Sequence, residues 1–330
     1  MKFTKSPLAL LCVLLACCLC IFSCGDEAET VDVGKTGPKA DSDFGQKAYN
    51  HTAKILSFGP RPIESRAHKK TQDYIIQELE KNRWVTFKQT FKTKTPHGER
   101  TFTNIIARYN VSRNVGKAET LSPKAVLAAH YDSKLIEGFL GADDAASCVG
   151  GLLELAEYFH KNEPAKAKMI ELVFFDGEEA LREFIIPRQD GLYGSIHYSE
   201  FLHYDVLKDN KLYTSVPQFG IVLDMVGHKN LNIKIPSDTP KSLADSYNKV
   251  VNKGKYNAHF GTAPGKILDD HVPMNQLAKI PTIDIIGDFS VNEWWHTKKD
   301  NINLISKDSL SMSLRVTLGV FNDQLKKRNL

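Results

Sequence analysis

The sequence predicts an α/β fold: a single globular domain whose twisted, mixed but mostly parallel central sheet is flanked by helices. Two observations carry that expectation. The segments "KAVLAAHYDS", "MIELVFFDG", "FGIVLDMVG" and "PTIDIIGDF" are short, nearly unbroken apolar runs that each end in polar residues, the pattern of strands buried on both faces under covering helices. Helical patterns separate them and no internal repeat or second linker interrupts the alternation, so one domain is expected over residues 43–330. With 330 residues, 42% of them hydrophobic, the chain has material for one large core.

The N-terminus precedes that fold. Lys2 and Lys5 make a basic start and Leu8 to Phe22 is an apolar stretch of about fifteen residues, short of the roughly twenty that a helix needs to span a bilayer. Residues 1–24 therefore read as a secretory signal. It ends in Ile21-Phe22-Ser23-Cys24-Gly25, which resembles the lipobox of bacterial lipoproteins, with Cys24 as the lipidated residue and Phe22 departing from the usual small one. That implies an exported protein, lipid-anchored and facing the periplasm or cell surface of a bacterium. Cys12, Cys17, Cys18, Cys20 and Cys24 all belong to the leader, so Cys148 is alone in the domain, a disulfide framework is excluded, and Cys148 reads as a small buried hydrophobe. Residues 25–42 are polar with almost no large apolar side chain and form a tether.

Ser42-Asp43 supplies an N-cap for a first helix carrying Phe44, Ala48, Ile55 and Leu56; "SFGPRPIES" turns the chain, and a second helix runs through Leu79. "WVTFKQTFKTKT" and "TFTNIIARYN" flank the turn-like Pro96-His97-Gly98, as in an antiparallel pair. Among the four apolar strands, helices are expected over Ala145–Lys161 and Ser242–Lys253, with a last one over Lys307–Leu325. Basic and acidic residues nearly balance at a net charge of +4, and no dense Lys/Arg run is interleaved with aromatics, so a nucleic-acid partner is excluded. His51, His160 and His228 read as surface or satisfied residues.

In open α/β sheets the ligand site lies beyond the carboxyl ends of the strands. Those ends here are His130-Tyr131-Asp132, Glu178-Glu179 after Asp176-Gly177, Asp224 and Asp288, and loops add Gly141-Ala142-Asp143-Asp144, Asp269-Asp270-His271 and Trp294-Trp295-His296-Thr297. One acidic pair at a helix start would merely complement the dipole. Many strand ends armed with carboxylate or imidazole point instead to a hydrolytic-type Zn²⁺ site with an open position. No H-E-x-x-H is present, so such ligands must come from distant loops, and spacing alone leaves both readings open.

"AAHYDSK", "GADDAAS", "LVFFDGEEA", "GLYGS", "VLDMVG", "DDHVPM" and "EWWHTKKDN" occur in this order, and over about residues 44–325 the chain resembles the zinc-dependent aminopeptidase-like superfamily, most closely the animal-type glutaminyl cyclases. The resemblance implies an α/β-hydrolase-like topology and conversion of N-terminal glutamine of peptides or proteins into pyroglutamate with loss of ammonia. It implies one Zn²⁺ per chain held by Asp144, Glu179 and His296. It gives Glu178 the proton shuttle, Asp224 the substrate α-amine, Asp269 a hydrogen bond near the leaving amide, and Trp295, Phe184 and Ile267 contacts with the substrate. Phe184 stands where the animal enzymes have a tryptophan, and Ala129 where they have a cysteine. Phe289 receives no role, because the loop "GDFSVNEWWH" is longer than theirs.

The alternative within the superfamily is a two-zinc aminopeptidase, its second metal on His130 and Asp224 with Asp144 bridging and Asp132 orienting His130. Against it stand the insertion Ala180–Asp190 before Gly191-Leu192-Tyr193-Gly194-Ser195, "DDH" in place of the peptidases' "SDH", and Trp295 directly before His296. A third class, a non-catalytic peptide-binding protein, is opposed by intact Glu178 and Asp269.

Overall fold

The computed structural model describes residues 44–111, 123–207, 215–290 and 293–330, without the side chains of 203–207; the leader with Cys24, the tether and the Ser42-Asp43 cap lie outside the described residues. Helices α1 (Phe44–Leu56) and α2 (Arg66–Lys81) come first, α2 opening on Ser65, whose hydroxyl accepts the amide of His68. The expected hairpin follows as β1 (Trp84–Thr95) and β2 (Gly98–Tyr109), in register from Trp84 opposite Tyr109 to Thr95 opposite Gly98. Then come β3 (Ala125–His130), α3 (Cys148–Asn162), the short α4 (Pro164–Ala167), β4 (Ile170–Phe175), α5 (Tyr193–Leu207) and β5 (Phe219–Asp224). The chain ends with β6 (Ile233–Ile235), α6 (Lys241–Gly254), β7 (Phe260–Thr262), α7 (His271–Gln276), β8 (Thr282–Gly287) and α8 (Lys307–Lys327).

All eight strands join one sheet in the order β1-β2-β4-β3-β5-β8-β6-β7. Its centre, β4-β3-β5-β8, is parallel, with antiparallel β2 on one side and β6 on the other. Every residue of the four central strands is buried. Alternation divides their side chains between two layers. Leu127, Ala129, Leu172, Phe174, Ile221 and Leu223 share a core with residues of α1, α3, α6 and α8. Val126, Ala128, Val173, Phe175 and Val222 pack with Tyr198 and Leu202 of α5 and Met274 of α7. On the second side Glu171 of β4 accepts from Arg108 Nε of β2 at 2.6 Å and from the Tyr198 hydroxyl at 2.5 Å, a buried charged link among three elements.

From β3 the chain steps to β4 on one side and then returns to β5 on the other, which places a crevice over the carboxyl ends of these strands. One predicted boundary is corrected there. Helix α3 begins at Cys148, because Ala142–Ser147 form a wide turn in which Asp144 has φ −104° and ψ 85° and the Asp144–Ala145 peptide is cis.

Candidate active site

The three predicted metal ligands converge over that crevice. His296 Nε2 lies 3.3 Å from Asp144 Oδ2 and 3.5 Å from Glu179 Oε2, and one donor atom from each residue lies within 4.8 Å of the other two.

Each ligand is held from behind. Gly141 opens the Asp144 turn at φ +56°, and a Cβ there would stand 2.1 Å from the Asp144 carbonyl oxygen, so only glycine fits. Arg61, fully buried, donates to the carbonyls of Tyr131, Leu140 and Gly141, while Asp300 accepts the amides of Asp143 and Asp144 through its two oxygens at 2.8 and 3.2 Å. Asp143 itself turns away to accept the Gly227 amide at 2.7 Å. His296 has φ +52°, uncommon for a side-chain-bearing residue, and stacks on Trp295 at 3.9 Å between ring centres.

The adjacent glutamates diverge. Strand β4 ends at Phe175 and Asp176-Gly177 follows, where Gly177 adopts φ +70° with no room for a Cβ beside the Phe102 ring. Asp132 then accepts both following amides, Glu178 at 3.2 Å and Glu179 at 3.3 Å. Glu179 reaches the metal ligands and is met by the buried Lys134 Nζ at 3.3 Å, which also donates to the Ala180 carbonyl. Glu178 stays outside the trio and lines a pocket of about 310 Å³ together with Asp224, Asp269, Ile267, Phe184 and Trp295. All predicted catalytic and substrate-contacting residues thus share one cavity. Phe289, which received no role from the resemblance, lines it too, 4.7 Å from Trp295 between ring centres. Asp288 does not face it: its carboxylate accepts from Asn232 and Ser290 and caps a turn. His51 and His160 contact the hydroxyls of Tyr74 and Tyr109, and His228 stacks on Trp294, so all three are satisfied structurally.

Burial dominates the electrostatics. It pushes Glu178 well above the usual carboxylate range, with the charges of Glu179 and Asp269 adding to it, and lifts Asp269 to about 8, reinforced by Asp284. Against the opposing effect of burial, Asp144 and Glu179 hold His296 up at about 9, and contacts with His130 and His296 draw Asp144 below its ordinary value.

A cation would offset this crowding of carboxylates. Glu179 Oε1 is buried with no hydrogen-bond partner, a costly state for a polar atom, and two carboxylates with one imidazole are a fitting donor set for zinc with a position left open. Asp144 also belongs to a second trio: His130 Nε2 is 3.3 Å from Asp144 Oδ1 and 3.4 Å from Asp224 Oδ1, with Asp132 3.4 Å behind its Nδ1.

Sequence reasoning misses the supports, namely Arg61, Lys134, Asp143, Asp300, and Asp284, which stands behind Asp269 with His271 Nδ1 at 3.2 Å. In the adjacent pair Asp143-Asp144 one carboxylate joins the trio and the other accepts a backbone amide, whereas Glu178, beside Glu179, turns its carboxylate to the pocket.

The model of the family described as Peptidase family M28 matches residues 104–320. A glutaminyl-peptide cyclotransferase of Dictyostelium discoideum is 31% identical, the match covering 80% of this chain and 81% of that protein. Porphyromonas gingivalis glutaminyl cyclase superposes with a TM-score of 0.71 at 28% identity, over 85% of this chain and 98% of that one. A structure described as a leucine aminopeptidase precursor from Bacteroides thetaiotaomicron also matches, with a TM-score of 0.71 at 27% identity, over 86% and 97% of the two chains. With a family model spanning most of the domain and a relative aligned over four-fifths of both lengths, the chain belongs to peptidase family M28 and, within it, to the glutaminyl-peptide cyclotransferases.

Proposed function

We propose that this enzyme converts the N-terminal glutamine of peptides or proteins into pyroglutamate, releasing ammonia. The observation that carries the reading is the presence of two buried carboxylates, Glu178 and Asp269, in the pocket beside the metal trio but outside it. Hydrolysis would need an activated water; intramolecular cyclisation needs only a group that takes a proton from the α-amine and returns it to the leaving nitrogen. Glu178 suits that task, facing the pocket while its backbone is pinned by Asp132. As the α-amine nitrogen bonds to the side-chain amide carbon, the bond from that carbon to its nitrogen breaks. The proton lost by the amine passes through Glu178 to make ammonia. Asp224 holds the amine, Asp269 accepts a hydrogen bond from the departing amide, and Trp295 with Ile267 walls the side chain. Asp144, Glu179 and His296 would hold the zinc ion, which when bound would supply Lewis acidity toward the amide carbonyl.

The second reading, a two-metal aminopeptidase, is favoured by the trio of His130, Asp144 and Asp224. Purified protein assayed on a glutaminyl peptide and on leucyl amide, with zinc measured per chain, separates the two. Ammonia release from the first substrate alone, with close to one zinc, is expected. Cleavage of the second with two tightly held ions would reverse the conclusion. The leader supports placing the enzyme outside the cytoplasm on a lipid carried by Cys24.

A further inference from the structure

His296 reaches the metal trio from a short turn. It is the third of four residues in which the Thr297 amide and hydroxyl both donate to the Trp294 carbonyl, at 3.1 and 2.8 Å. That position takes the φ of +52°, a left-handed conformation that a residue with a side chain keeps only where its surroundings fix it. Trp294 opens the turn, so the seat of its indole helps set where the His296 imidazole points.

That seat is made by packing. Trp294 is buried, and its indole N–H has no hydrogen-bond partner, although a buried indole usually finds one. Met225 and Ile286 share its apolar cluster, and the ring of His228 lies against it, 5.2 Å away between ring centres with the planes 21° apart. Neither His228 nor Trp294 is among the described residues that line the pocket. His228 is itself fixed: its Nδ1 accepts the Asn230 amide at 3.0 Å, the Lys229 amide donates to the Leu304 carbonyl at 2.7 Å, and the Ser306 amide donates to the Gly227 carbonyl at 2.9 Å. The Gly227 amide in turn reaches Asp143, the neighbour of Asp144. The segment that follows β5 thus touches the supports of two members of the trio.

The inference rests on the proposed ligand set of Asp144, Glu179 and His296. We propose that His228 is a positioning residue for the metal centre: its ring, stacked on Trp294, holds the turn that presents His296 to the ion. It acts through two steps of contact, His228 to Trp294 and Trp294 to the His296 turn, without touching the ion or the substrate. With the ring removed, Trp294 loses one face of its seat, the turn must be ordered by the ion itself, and part of the binding free energy goes into that ordering.

The test is the zinc Kd of the purified enzyme, measured by competition with a chelator, for His228→Ala, His228→Phe, Trp294→Leu and the double variant His228→Ala with Trp294→Leu, with His296→Ala as the reference. His228→Ala should weaken zinc binding by about two- to tenfold, the range set by the worth of one aromatic pair, and His228→Phe, which keeps a ring to stack, should restore it. The double variant should bind zinc at most about twofold more weakly than Trp294→Leu alone, because the stack is already lost. The His228 ring is only half-buried, so its truncation leaves folding intact, which chemical denaturation in excess chelator checks. Wild-type affinity in His228→Ala, with zinc lost from His296→Ala, overturns the positioning role and leaves the ligand set standing. Equal weakening in His228→Ala and His228→Phe, or losses that multiply in the double variant, removes the stack as the cause and overturns the proposal as well. Zinc held by His296→Ala at wild-type affinity overturns the ligand set and this role together.

Discussion

Glu178 and Glu179 share one backbone anchor, Asp132, yet only Glu179 joins the metal trio. Their amide variants should therefore fail differently. Glu179→Gln replaces an anionic oxygen by a neutral one and should lose zinc, with activity falling for that reason. Glu178→Gln keeps the shape but not the proton transfer, so turnover should drop about 10²–10⁴-fold while zinc content and inhibitor affinity hold. Zinc analysis and turnover on both purified variants check this, and metal loss confined to Glu178→Gln would invert the roles. The pocket-lining residues and the trio were legible in the sequence because they fall in segments that resemble those of a known family; residue type and spacing alone left two readings open. Arg61 and Asp300 were not, because each acts by hydrogen bonds to a backbone turn far away in sequence, and nothing local in "GPRPIES" or "KKDN" announces a partner.

Strands and long helices follow from burial patterns, whereas the elements that sequence reading passes over have physical reasons for silence. Strands β6 and β7 hold three residues each and α7 six, too few for a period to register. In α5 the apolar residues are spread around the helix, leaving no stripe to read. Helix α3 starts late because the residues expected to open it make the Asp144 turn instead. At this scale the buried link of Arg108, Glu171 and Tyr198 gives a stability prediction, since it fastens β2 and α5 to β4. Glu171→Ala removes the carboxylate that Arg108 and Tyr198 share, and should destabilise the fold by about 1–3 kcal/mol. Chemical denaturation of the variant against wild type measures it; a change below about 1 kcal/mol would mean that water or another group replaces the carboxylate.

For the whole molecule, an ion held across three segments stabilises the native state by mass action, about 2.7 kcal/mol at a hundred times its Kd. At roughly 2–4 °C per kcal/mol for domains of 150–250 residues, a chelator should lower Tm by about 5–10 °C. Glu178→Gln should keep that response and Glu179→Gln should lose most of it, as differential scanning fluorimetry with and without chelator will report. The predicted anchor belongs to this scale too: Cys24→Ala should release the protein from membranes, and wild type recovered wholly in the soluble fraction would count against lipidation. One last consequence comes from the positions of Asp144, Glu179 and His296 along the chain. A ribosome delivers the first two long before the third, and the turn bearing Asp144 waits on Asp300 as well. No nascent or prematurely terminated chain ending before His296 carries the complete ligand set. On the proposed ligand set, metal loading therefore reports synthesis through His296 and Asp300 and is indifferent to α8.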